Sequence, residues 1–293
     1  MNAAALLSTL EWAVPVVFGV VLHEMAHGFV ALRFGDTTAR DARRLTLNPL
    51  RHVDPVGTVL FPLVLVLSHS SFVFGWAKPV PVDFSRLKNP KRDMVWVALA
   101  GPAMNFVLAL IALAALGVMQ NAAFSAAPTV VRMLLNAVLF NFSLMTFNLI
   151  PVLPLDGGRI LTGILPMRQA IRFARTEKYG FGVIALLLIF LPLLGDYTGR
   201  DFDFVSRFLA FSVQKLTYFF AGLFGLIQGE KGMSIGFFQL LVILLIVLVL
   251  FGRGKLPALA EDLGKSVSSF KKGLNEDKEP ESKPAENDSS KDA

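Results

Sequence analysis

What most limits the architectures open to this chain is a series of apolar runs. Several come close to the ~20 residues that a helix needs to cross the hydrocarbon of a bilayer. Trp12–Phe34, Met94–Met119 and Val131–Ile150 are the clearest, while Phe181–Leu194 is apolar but short. In hydrocarbon every backbone N–H and C=O must be satisfied by the protein itself, so such runs are expected to be helices. Composition agrees: 54% of the 293 residues are apolar and 17% charged, against about 45–50% and about 25% in soluble domains. An ordinary soluble domain, a fibre and a disordered chain are excluded. The expected fold is an all-α polytopic membrane protein. Trp12–Phe34 is not read as a cleaved signal peptide, because it lacks a basic leading region and a small-residue cleavage site. There is no cysteine, which removes disulfides, thiol catalysis, iron–sulfur clusters and Cys-based zinc sites.

Between the runs the chain is uneven. Val56–Trp76 is apolar but interrupted by Pro62 and by Ser68-His69-Ser70-Ser71, so it either spans or is re-entrant. Trp76–Asp83 carries Pro79 and Pro81 and reads as extended chain, since each proline disfavours helix in the residue before it. The loop Arg159–Lys178 has five basic residues and one acid, the signature of a cytoplasmic loop. In Ser206–Ile227, Gln214 and Tyr218 share one side of a helix with Asp203 and Arg207, and this segment is expected to lie in the membrane interface. The net charge of +6 conceals an asymmetry: residues 275–293 hold seven acids and three lysines, leaving +10 for the remainder. The basic residues form no continuous stripe, so no nucleic-acid partner is expected. Composition shifts at Gln228–Gly232, which divides the chain into a domain at 1–227, a linker at 228–232, a helical module at 233–273 and a disordered acidic tail at 274–293.

His23-Glu24-Met25-Ala26-His27 is an HExxH pattern inside the first apolar run. On a helix, positions i and i+4 share a face. Both imidazoles can then bind one metal ion while Glu24 serves as general base toward a water molecule. The bland alternative is a polar cluster at a helix end. Three ionisable residues within one turn of an apolar helix are costly, however, and such residues mark function. A catalytic zinc takes three protein ligands and keeps an open position. Asp156, in Leu155-Asp156-Gly157-Gly158, is the best candidate for the third ligand, although by itself it reads equally well as a turn aspartate bonding its own backbone.

HEMAH, GPAMN (Gly101–Asn105) and NLIPVLPLDGG (Asn148–Gly158) together resemble the site-2 protease family of intramembrane zinc metalloproteases. NPLRHVDPVGT (Asn48–Thr58) and FGWAKPVPVD (Phe74–Asp83) are similar to its small bacterial branch without a PDZ domain, over about residues 10–195. The resemblance implies one zinc per chain on His23, His27 and Asp156, and Glu24 activating water. It also implies hydrolysis of a peptide bond in or near a transmembrane helix of a membrane-protein substrate, in a bacterial inner membrane. Lys78–Val82 is a candidate edge strand for the unwound substrate. Asn148 is a candidate catalytic donor orienting the substrate carbonyl, with a helix-capping role as the alternative. Asn105 is expected to bond between helices, His52 to be a structural loop residue and His69 incidental.

Met233–Gly273 resembles the TatA-type subunit of the twin-arginine translocase: a short apolar helix with an early Gln239, a Phe251-Gly252 hinge, Arg253 and Lys255, then an amphipathic helix ending in Phe270-Lys271-Lys272-Gly273. Ser234–Phe251, at 1.5 Å per residue, spans about 27 Å against a hydrocarbon core of ~30 Å, a mismatch that favours bilayer thinning or oligomers. Its implied partners are the lipid bilayer, further copies of the chain and translocase subunits. Two functions stand: an intramembrane zinc protease fused to a TatA-like module, or a component of twin-arginine transport in which the protease-like region is a scaffold.

Overall fold

In a computed structural model of the chain, residues 3–60, 63, 67, 75–121 and 127–226 are described. The linker at 228–232, the module at 233–273 and the tail at 274–293 lie outside the described residues, as do His69 and most of 61–74. The chain divides into two compact units, Met1–Gly236 and Phe237–Ala293.

Its helices are α1 (Ala3–Arg33), the single turn α2 (Thr38–Asp41), α3 (Pro90–Asn121), α4 (Pro128–Asn148), α5 (Asp156–Ile164), α6 (Met167–Ala174), α7 (Glu177–Ala185), α8 (Leu191–Thr198) and α9 (Phe204–Leu223). No strand occurs among the described residues. Among the described residues, four stretches are long and apolar enough to cross a membrane: Leu6–Arg33, Pro90–Gln120, Pro128–Asn148 and Glu177–Gly195. The protein is a membrane protein with an all-helical bundle. The last of these spans is longer than its apolar run. A π turn at Leu186–Phe190 joins α7 to α8, directly before Pro192 in the first turn of α8, whose missing N–H interrupts the regular helical bonding there. Gly199, with φ +67°, closes α8 in the left-handed conformation that glycine adopts without strain.

The centre of the bundle is α3, which packs against α1, α4 and α5. Its buried face includes Ala98, Ala109 and Ala112, small residues that allow close helix approach where packing, not water exclusion, drives association. Val138 and Phe142 of α4 are buried against it. Pro90 opens α3, as proline suits a first helical position, and the Asp93 carboxylate accepts the Asn89 N–H at 2.8 Å. Glu11 of α1 pairs with Arg132 of α4 at 2.7 Å.

The sequence places residues 206–227 in the interface; Phe204–Leu223 is not among the helices long and apolar enough to cross a membrane, and one face of it packs on the bundle. Phe220 of α9 meets Phe106 of α3 at 5.2 Å and Phe142 of α4 at 6.0 Å between ring centroids, midway along those spans. Gln214 and Tyr218, two of the polar side chains that suggested an interface, are exposed and stand at the rim of a cavity.

The segment 75–83 is extended, as the prolines require, and is held residue by residue. Lys78 N–H donates to the His52 carbonyl at 2.9 Å, Arg44 Nη2 to the Lys78 carbonyl at 2.8 Å, and Asp83 N–H to Asp36 Oδ2 at 2.8 Å. Asp36 is fully buried and also accepts the Thr38 N–H at 2.9 Å.

Candidate metal centre

The 3.6-residue repeat of α1 brings His23 and His27 to one face, and their Nε2 atoms lie 3.1 Å apart. Asp156, the first residue of α5, completes a triangle. Its Oδ2 is 3.3 Å from Nε2 of His23 and 3.4 Å from Nε2 of His27. All three residues are buried. Among the described residues, this is the group of His, Asp or Glu side chains gathered closely enough to hold a metal ion. Asp156 follows the N-cap position, which Leu155 holds, and its Oδ2 makes no hydrogen bond to the turn, which disfavours the turn-aspartate reading.

The group suits a metal on three grounds. Ligands at about 2.0–2.1 Å in a tetrahedron stand about 3.3–3.4 Å apart, and the observed edges are 3.1–3.4 Å. His27 Nδ1 donates to the Val97 carbonyl at 2.7 Å. A carbonyl can only accept, so in the neutral ring the lone pair is on Nε2. Asp156 Oδ2 is buried and receives no hydrogen bond from the protein, a costly arrangement for a carboxylate oxygen unless a cation faces it.

The neighbouring elements are shaped around the triangle. A Cβ on Gly101 of α3 would stand 2.4 Å from His27 Nε2 and 2.6 Å from His23 Nε2, so only glycine admits the imidazoles here. A Cβ on Gly157 would stand 2.3 Å from the Leu149 carbonyl oxygen, and its absence lets α5 begin against the loop that carries Asp156. His23 Nδ1 lies 2.6 Å from Asn105 Oδ1, and Asn105 Nδ2 donates to Asn141 Oδ1 at 2.8 Å and to the Gly19 carbonyl at 3.2 Å. Asn105 thus bonds between helices, as the sequence suggested.

Glu24 sits beside His23 on α1, and its Oε2 accepts the Val80 N–H at 2.7 Å. The extended segment therefore fixes the carboxylate. The Asn148 side chain donates to the Leu144 carbonyl of its own helix at 3.0 Å. That bond stays within its own helix, and Asn148 makes no hydrogen bond with the triangle. His52 is buried, with Nε2 donating to the Thr46 carbonyl at 3.0 Å. Lys78 and Val80 already spend their N–H groups inside the protein, and Pro79 and Pro81 have none. That leaves few donors for substrate strand addition at 78–82. Sequence reasoning missed Asn141, although a buried amide in the apolar stretch Val138–Phe142 is the kind of residue that marks function within a membrane.

Residues 117–191 match the family model described as Peptidase family M50. The Bacillus subtilis protein named "Putative zinc metalloprotease YwhC" is 38% identical over 204 residues, covering 64% of this chain and 86% of that protein. The chain belongs to peptidase family M50. A second M50-like relative, "Putative zinc metalloprotease Rip2" of Mycolicibacterium smegmatis, is 29% identical over 215 residues, 71% of this chain and 80% of that protein. Residues 233–280 match the model described as mttA/Hcf106 family. "Sec-independent protein translocase protein TatA" of Erythrobacter litoralis is 62% identical over 47 residues, 16% of this chain and 59% of that protein. No solved structure matches the chain. The M50 chain thus carries a TatA-like domain at its C-terminal end.

Proposed function

We propose that His23, His27 and Asp156 together hold one zinc ion, and that Glu24 is the general base for hydrolysis of a peptide bond in a membrane-embedded substrate. The chain is a membrane zinc metalloprotease fused to a TatA-like module. The observation that carries the assignment of residues is the buried triangle of two imidazole nitrogens and one carboxylate oxygen, with Asp156 Oδ2 accepting no hydrogen bond. When bound, zinc supplies a Lewis acid toward the scissile carbonyl and makes water acidic enough to ionise near neutral pH.

The other steps belong to the chain. Val80 N–H holds Glu24 Oε2, so the proton from attacking water is taken on Oε1 and passed to the leaving amine. The Val97 carbonyl holds the His27 ring in place. Asn148 remains the candidate for orienting the substrate carbonyl, a role that requires its amide to leave Leu144. A cavity of about 1660 Å³ is lined by Val20 and Val21 of α1, within one turn of the metal ligands, by Phe147 of α4 and by Val213 of α9. Its apolar walls suit a substrate drawn from a transmembrane helix. The chain's place is the bacterial inner membrane, with boundaries at 1–227, 228–232, 233–273 and 274–293, and with 233–273 contacting lipid, other copies or translocase subunits. Zinc per chain, measured in the parent and in His23→Ala and Asp156→Ala, tests the site. About one zinc in the parent and a loss in both variants is expected, and a folded, zinc-supplied parent without zinc would overturn the reading.

The match at 233–280 supports a second reading, participation in twin-arginine export. Restoration of export by the full chain in cells lacking their own TatA tests it.

A further inference from the structure

We propose that Asn141 of α4 is a positioning residue of the metal site: acting through Asn105, it fixes His23 as the Nδ1–H tautomer and keeps Nε2 bare for the metal. This inference rests on the metal-site reading above. It follows from the polarity of a fully buried chain of hydrogen bonds. Asn105 and Asn141 are 0% and 2% exposed, so no solvent can substitute for any link.

The chain ends on backbone carbonyls, which can only accept. Asn141 faces the Ala137 carbonyl at 2.8 Å, so the group there must be its Nδ2, and its Oδ1 turns toward Asn105. Asn105 faces that oxygen at 2.8 Å and the Gly19 carbonyl at 3.2 Å, so both contacts must be made by its Nδ2. Its Oδ1 is then left for His23, 2.6 Å away. An amide oxygen has no hydrogen to give, so the proton sits on His23 Nδ1 and the lone pair on Nε2, which points at His27 Nε2 and Asp156 Oδ2. Reversing any amide would set two acceptors or two donors against each other in a buried site, where an orphaned polar group is costly. The orientation of one ligand on α1 is thus held by two carbonyls, that of Gly19 on α1 directly through Asn105 and that of Ala137 on α4 through Asn141, whose contact with Asn105 is the shorter of the two. His27 needs no such relay, because its Nδ1 meets the Val97 carbonyl directly.

The test uses the full chain in lipid nanodiscs with ¹⁵N-labelled histidine, stripped of zinc by chelation. Nitrogen shifts and ring couplings report the tautomer of each of the four histidines. His23 in the parent is expected as Nδ1–H. A mixed or Nε2–H His23 there overturns the proposal without any variant. Asn141→Leu is expected to leave Asn105 pinned by Gly19 alone, shift His23 toward the other tautomer and raise the zinc Kd, measured by chelator competition, about 10- to 100-fold. An Asn141→Leu chain with parental tautomer and parental Kd overturns the proposal. His27 is the internal reference for folding: if Asn141→Leu disturbs it too, the parent's tautomer decides. A parent with Nδ1–H at His23 that binds no zinc would overturn the metal-site reading and leave the relay standing.

Discussion

Glu24 and its neighbours divide labour at the scale of single atoms. Two imidazole nitrogens and one carboxylate oxygen form the triangle, while the Glu24 carboxylate is tied to Val80 and takes no edge of it. Glu24→Gln should therefore keep its zinc and lose peptide hydrolysis by about 10²- to 10⁴-fold, the usual contribution of a general base. His23→Ala and Asp156→Ala should lose both. Zinc content and cleavage measured on the same preparations separate the two classes. Gly101 makes a sharper case, because it has no chemistry of its own. A Cβ 2.4 Å from His27 Nε2 must push the ring aside, so Gly101→Ala should lose zinc while circular dichroism keeps the parental helix content.

Helices and extended chain cooperate around these atoms. The site is assembled from α1, α3 and α5, while the 75–83 segment supplies the N–H that fixes Glu24. Asp36 anchors that segment: it is fully buried and accepts from both Thr38 and Asp83. Asp36→Ala should cost about 1–3 kcal/mol for each buried donor left without an acceptor, read as a fall in Tm. It should also speed amide hydrogen exchange at Asp83 and Val80. Unchanged exchange there would mean that the segment is held by Lys78 and Arg44 alone. Asp83 itself starts the turn Phe84–Arg86. The Ser85 hydroxyl and N–H, and then Arg86, hold its carboxyl below the usual carboxylate range. The turn is therefore supported above that range and loosens as pH falls through it.

As a whole molecule, the chain joins an M50 protease to a TatA-like domain, and the two activities should separate. Glu24→Gln should abolish proteolysis and leave any restoration of twin-arginine export intact. Deleting 233–293 should abolish restoration and leave zinc binding by the remaining chain unchanged. Export and zinc assays on the two variants check this. Loss of export in Glu24→Gln would show that proteolysis feeds the translocase-like part.

Much of this was written in the order of residues. Spans follow from apolar length because unpaired backbone cannot remain in hydrocarbon, and HExxH puts two histidines on one face because a helix repeats every 3.6 residues. The Pro-Val-Pro spacing likewise requires extended chain. Asp156 lies 129 residues beyond His27, and no local rule brings it to within 3.4 Å. That took the packing of α5 on α3, which depends on glycines whose missing side chains are read only against their neighbours. The same holds for α9: its polar stripe shows which side is wet, and only the Phe220 contacts with Phe106 and Phe142 show where its apolar face packs. The role of Asn141 was beyond sequence reasoning for a related reason. A hydrogen bond has a direction, and the direction of this relay is set by two backbone carbonyls on different helices that meet only in the folded bundle.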